Sequence, residues 1–236
     1  MNNIFYRIRE AFRRNPFFFL LIAYIVFRDI TRTGSVFEWL YQKALYLPAI
    51  VIGISCHEFA HAFVAFKLGD PTPKLQGRLT LDPLYHFDPY GFFLIFFAGF
   101  GWGRPVETNP RYYKNRRLGG VLVSLAGVTT NFILAVVFAF LFKLLVRIGV
   151  GGAMEIIAII VYNTMYLNII LGIFNLIPCP PLDGWNVVSY LFNFQKYEWW
   201  YRVNSYGLLI LMVLLIFNIP DYIIAFFGTK FISLLF

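Results

Sequence analysis

His57-Glu58-Phe59-Ala60-His61 lies inside an apolar run from Leu45 to Leu68. On a helix its two histidines stand four residues apart, offset by only ~40° around the axis and ~6 Å along it, within reach of one metal ion. Two neutral imidazoles at that spacing hold Zn²⁺, and the carboxylate between them takes a proton from water, which makes HExxH on a helix a zinc-hydrolase pattern. The competing reading is a chance pentapeptide whose histidines are satisfied in a core. That reading suits a soluble helix better than this one, because two imidazoles and a carboxylate inside a bilayer cost several kcal/mol unless function or pairing offsets them.

The surrounding composition places that helix in a membrane. Of 236 residues 59% are hydrophobic and 14% charged, against ~45–50% and ~25% for soluble domains. Cys56 and Cys179 are too few for a disulfide scaffold and fall beside motifs assigned to the reducing side. The net charge of +8 therefore reports on loop placement and not on nucleic acid, for which no partner role is expected.

Arg7, Arg9, Arg13 and Arg14 precede an apolar run from Pro16 to Phe27 with no small-residue cleavage site, so an uncleaved first span is expected, extended through Arg28 to Thr33 by snorkelling. Residues 36–44, with Trp39, Tyr41 and Lys43, read as an interfacial turn. The polar stretch from Gly69 to Tyr90 alternates over Lys74 to Leu81, predicting one or two short strands beside the membrane. Gly91 to Gly103 has re-entrant rather than spanning length. A basic loop carrying Arg104, Arg111, Lys114, Arg116 and Arg117 follows. Three further apolar segments run from Leu118 to Val146, Ala153 to Ile177 and Leu208 to Phe227, the last with a break near Pro220.

The fold class expected is an all-α polytopic membrane protein of five or six segments, one of them re-entrant, with a short membrane-associated β segment. Residues 1–44 form an N-terminal span and interfacial segment, 45–190 a catalytic membrane core, and 191–236 a C-terminal membrane segment. No separate soluble domain is expected. If residues 91–103 dip and return, the cytoplasmic side holds 14 of the 20 Lys and Arg residues, which favours that topology and sets the HExxH helix end toward the cytoplasm.

A catalytic zinc takes three protein ligands and leaves one position open. His86 is the only other histidine, and after carboxylates at span ends and in the basic loop are set aside, Asp70, Asp82, Asp88 and Asp183 remain. Asp183 follows directly on a span, behind Pro178, Pro180 and Pro181, where irregular backbone at membrane depth is tolerated only if buried or lining a cavity. An ordinary Asp-Gly turn is the alternative, and Asp82 and Asp88 are the other candidates. Asn131, in mid-span and on one face with Gly127, can hydrogen-bond a substrate backbone or join helices. Cys56 reads as a packing residue, and Cys179 as a poor ligand because a thiolate would compete with water.

HEFAH at 57–61, AGVTTN at 126–131 and NLIPCPPLDG at 175–184 resemble the site-2 protease family of intramembrane zinc metalloproteases, and residues 67–91 and 101–110 resemble its compact bacterial branch. The resemblance implies cleavage of a transmembrane protein substrate within or near the bilayer. It implies one Zn²⁺ held by His57, His61 and Asp183, Glu58 as general base, and Asn131 and Asn175 near the bound substrate. Val128 stands where the family often has proline, and the PDZ or CBS domains of larger members are not recognisable, so a regulatory partner is left unspecified. Residues 73–81 are expected to pair with an unwound substrate by edge addition. The rival function is a zinc transporter or sensor, which would show further intramembrane ligands along a path or an internal repeat. A retained but inactive scaffold is disfavoured by the intact HExxH.

Overall fold

The computed structural model describes residues 16–98, 101 and 103–236. Arg7, Arg9, Arg13 and Arg14, and Gly99, Phe100 and Trp102 of the segment from Gly91 to Gly103, lie outside the described residues. Eleven α-helices are described: α1 (Pro16–Thr33), α2 (Val36–Lys67), α3 (Thr72–Leu75), α4 (Pro83–His86), α5 (Pro89–Ala98), α6 (Arg116–Ile148), α7 (Ala153–Asn175), α8 (Asp183–Leu191), α9 (Glu198–Ser205), α10 (Gly207–Ile216) and α11 (Ile219–Leu235). Three of them, α2, α6 and all but the first residue of α7, are long and apolar enough to cross a membrane; α9 and α10, bent by 55°, pass the same test together. The chain is thus an all-helical multi-pass membrane protein.

Helix α2 starts nine residues before the apolar run, so residues 36–44 are its first turns and not an interfacial turn. Ser35 Oγ accepts the Glu38 N–H at 3.0 Å, and Gln42 Nε2 donates to Glu38 Oε1 at 3.1 Å one turn on. This cap and the i, i+4 pair support the first turns of a helix that carries a proline inside it at Pro48. Gly69, at φ +101°, ends it in a conformation that side chains resist. At the head of α6, Asn115 Oδ1 caps the Leu118 N–H at 3.0 Å, and Gly149 closes the helix at φ +100°.

Helices α2, α6 and α7 pack on one another in all three pairings and form the frame of the molecule. Small side chains make the approach close: Ala135 and Ala139 on α6 are buried in one cluster with Met165 and Ile169 of α7, Ala65 on α2 is buried with Val123 of α6, and Ala49 and Ala62 on α2 are buried as well. The outward faces carry exposed Ile133, Phe140, Leu144 and Ile157, an apolar surface that suits lipid and not water.

The predicted strand over 74–81 does not form. Residues 72–75 are a helical turn, and among the described residues the only β pairing is an isolated antiparallel bridge between Phe87 and Gly103. Pro71 and Pro73 lack the N–H a ladder needs, and Gly77 turns the chain at φ +68°. The C-terminal break falls at Asn218, in the left-handed conformation at φ 56°, two residues before Pro220.

Candidate metal centre

The two histidines of α2 face α6. His57 Nδ1 lies 2.6 Å from Asn131 Oδ1, and His61 Nδ1 lies 2.7 Å from the Val123 carbonyl oxygen. Asn131 Nδ2 donates to Asn168 Oδ1 at 2.8 Å and to the Gly53 carbonyl at 3.3 Å, which fixes the amide so that its oxygen faces His57. Both contacts on the rings are therefore with acceptors, both Nδ1 atoms carry the proton, and both Nε2 atoms present lone pairs.

Those lone pairs meet. The Nε2 atoms are 3.0 Å apart, and Asp183 Oδ2 lies 3.1 Å from that of His57 and 3.2 Å from that of His61. Asp183 Oδ2 is buried with no hydrogen-bond partner among the described residues. Three acceptors converging without a proton between them repel unless a cation sits among them, and these are the three side chains that form a possible metal-binding group among the described residues. Nitrogen, nitrogen and carboxylate oxygen suit Zn²⁺, whose tetrahedral ligands at ~2.0–2.1 Å stand ~3.3 Å apart. The donor set fits the metal.

Local backbone makes this convergence possible. An added Cβ at Gly127 would lie 2.5 Å from His57 Cε1 and His61 Nε2, so only glycine lets α6 come this close to both rings. Beyond α7 the chain turns through the proline cluster, and α8 begins at Asp183 itself. Gly184 packs so tightly that a Cβ there would lie 2.2 Å from the Leu176 carbonyl oxygen, which lets the carboxylate return beneath the end of α7.

Glu58 stands outside the triad, and its Oε2 accepts the Val106 N–H at 3.1 Å. All four side chains line one cavity of about 470 Å³, together with Asn175, Asn186, Val106, Thr108, Tyr113 and Tyr190. That is the size of a ligand pocket. Burial pushes the Tyr113 phenol up to about 12, with the Asp70 carboxylate adding to the shift, so it keeps its proton at any physiological pH.

The other sequence candidates fall elsewhere. Asn131 is fully buried and its amide is spent on His57, Asn168 and Gly53, so it supports a histidine and does not line the cavity. Asn175 does line it, with Nδ2 donating to the Leu171 carbonyl at 3.0 Å. Asp82 caps α4 through the Leu84 N–H, and Asp88 accepts the Gly91 N–H. His86 is buried with Nε2 on the Thr80 carbonyl oxygen at 2.6 Å. Cys179 donates to the Pro180 carbonyl at 3.3 Å and stays out of the triad. Sequence reasoning missed Asn168, fully buried in mid-span beside Thr164; two polar residues at i, i+4 in an apolar helix were the available signal.

An HExxH pair closed by a distant aspartate, with a carboxylate beside it in a membrane-helix bundle, is the architecture of a membrane-embedded metallohydrolase. Residues 45–155 and 145–217 match peptidase family M50. YwhC of Bacillus subtilis, named as a zinc metalloprotease, is 40% identical over 79% of this chain and 89% of its own length. Rip2 of Mycolicibacterium smegmatis, named likewise, is 28% identical over 89% of this chain and 83% of its own. Rip2 of Mycobacterium tuberculosis is 29% identical over 75% and 70%. No solved structure matches the chain. The chain belongs to peptidase family M50, the site-2 protease family.

Proposed function

We propose that this protein is an intramembrane zinc metalloprotease that hydrolyses peptide bonds of transmembrane proteins within or near the bilayer, using residues 45–190 as its catalytic core. The observation that carries the reading is the triangle of His57, His61 and Asp183 acceptors with Glu58 in the same cavity. His57, His61 and Asp183 hold the metal. Zinc in that position supplies a Lewis acid that lowers the pKa of water toward ~7 and polarises a carbonyl. Glu58, steadied by the Val106 N–H, takes the proton from the attacking water and hands it to the leaving amine. Asn131 keeps His57 in the tautomer that offers Nε2, and Val123 does the same for His61. Asn175 on the cavity wall is placed to hydrogen-bond the substrate backbone. A helical substrate must unwind locally before its carbonyl is accessible, because its own ladder occupies that group.

The test is cleavage of single-span helical substrates, carrying helix-loosening residues, by the detergent-solubilised protein. Activity is expected to vanish with a zinc chelator and to return on adding zinc. Cleavage indifferent to the chelator would reject the metal mechanism. Equal zinc flux through liposomes by wild type and a Glu58→Gln variant would favour the transporter reading, although a single ligand cluster among the described residues supplies no path of sites.

The same reading includes orientation. Helix α5, ten residues long, rises ~15 Å, half of the ~30 Å hydrocarbon core, which supports a segment that enters and returns on one side. The N-terminus and the basic loop around Lys114 then both face the cytoplasm of a cell membrane, with the cavity opening toward that side. Reporters fused at the N-terminus and at Lys114 are expected to give cytoplasmic signals; an external signal at Lys114 would turn residues 91–103 into a full crossing.

A further inference from the structure

Two charged side chains of the loop after α2 are buried without belonging to the metal triad: Asp70 at 0% and Arg78 at 3% exposure. Both turn inward onto the segment that carries Val106. Asp70 Oδ2 accepts the Asn109 N–H at 2.6 Å, while its Oδ1 accepts the Thr72 N–H at 2.9 Å. From the other side, Arg78 Nη2 donates to the carbonyl oxygens of Arg104 and, at 2.9 Å, of Pro105. Between these anchors the Val106 N–H donates to Glu58. The Phe87–Gly103 bridge, the Arg104 N–H on the His86 carbonyl at 2.7 Å, and Gln76 Nε2 on Glu107 at 2.7 Å fasten the same two segments.

A loop needing only to cover a membrane protein would not bury a carboxylate and a guanidinium, since each burial is costly unless its hydrogen bonds are made. Here Arg78 Nη2 donates to the carbonyls one and two residues before the amide that holds Glu58, while Nη1 is buried without a partner among the described residues. Burial pushes the pKa of that guanidinium down, and the Glu58 carboxylate works against the shift.

We propose that Asp70 and Arg78 are positioning residues that clamp residues 104–109 from both ends, so that the Val106 N–H holds the Glu58 carboxylate in its working orientation. The inference rests on Glu58 being the general base. Its consequence is that the loop from Gly69 to Asp82 enters the chemistry through Val106, without touching the metal ligands.

Arg78→Met removes the two carbonyl contacts while keeping most of the side-chain volume. It is expected to lower kcat by about 10–100-fold, the scale of a small misplacement of a catalytic group, with zinc content unchanged and KM little altered. Arg78→Lys should recover part of the loss. Asp70→Asn, nearly isosteric, should act in the same direction and tests the clamp from its other end if Arg78→Met does not fold. The deciding measurement is a double-mutant cycle with Val106→Pro, which deletes the amide on Glu58. Residues acting through that amide give a double variant no slower than the slower single one. Losses that multiply independently, wild-type kcat in Arg78→Met and Asp70→Asn, or zinc lost in parallel with activity would each overturn the clamp. Glu58→Gln run alongside separates the two levels: if it is inactive while Arg78→Met is unaffected, only the clamp fails, and if it still cleaves, the assignment of Glu58 fails first.

Discussion

Glu58→Gln is expected to keep its zinc and its fold while losing cleavage by about 10²–10⁴-fold, the contribution of a positioned general acid–base group. The substitution preserves side-chain volume and an oxygen able to accept the Val106 N–H, so the hydrogen bond at 3.1 Å survives. What disappears is the capacity to take a proton from water and return it to the departing amine. Since Glu58 lies outside the group formed by His57, His61 and Asp183, metal content measured on the purified variant should match wild type. Cleavage at more than a few per cent of the wild-type rate, or zinc lost with the activity, would show that Glu58 acts as a ligand or a bystander.

Asp183→Ala is expected to strip the metal. It removes one of three donors that a catalytic site of this type possesses, and it leaves His57 and His61 with lone pairs 3.0 Å apart and nothing to complete the set. Zinc per chain should fall well below one after dialysis, and activity with it. Asn131→Leu gives a graded comparison, because the ligands remain but His57 loses the acceptor that fixes its tautomer; about 10–100-fold weaker metal binding is the usual scale for such a loss. Full zinc in Asp183→Ala with loss in Asp82→Ala would transfer the third position to Asp82, although that residue caps α4.

The histidine pair was legible because its spacing and its helix come from the same local pattern, and no tertiary knowledge is needed to see two rings on one face. Asp183 became legible only by elimination: 126 residues separate it from His57 in sequence, and few carboxylates in so apolar a chain had a place near the helix end. Asn131 stood out as polar in a span, but whether its amide faced a substrate or a neighbouring helix depends on where Asn168 sits, and that is set by the packing of α6 on α7. The strand predicted at 74–81 failed because alternation describes one face of a segment and says nothing about a partner; Pro71, Pro73 and Gly77 fold that stretch back instead. The early start of α2 was hidden by the half-polar run from Val36 to Ala44, where a cap at Ser35 outweighs weak amphipathicity. Asp70 stood among the candidate third ligands and Arg78 only as one basic residue of the loop, and the anchoring role of neither was legible, since burial of a loop residue is a property of the whole fold.

The depth of the triad along α2 bears on what happens after a bond is cut. His57 lies twelve residues beyond Leu45, where the apolar run starts, and Lys67 comes six residues after His61; at ~1.5 Å per residue the triad stands ~18 Å from one boundary and ~9 Å from the other. A span severed at that level yields two unequal stubs, both shorter than the ~20 apolar residues that hold a helix across a bilayer. At ~0.8 kcal/mol for each buried methylene, retention in lipid is steeply weighted toward the longer stub. If the proposed function holds, the shorter piece is expected to partition into water on the side nearer the triad while its counterpart stays behind. Release would then be directional without any pump, its direction following from the off-centre placement of two histidines on one helix.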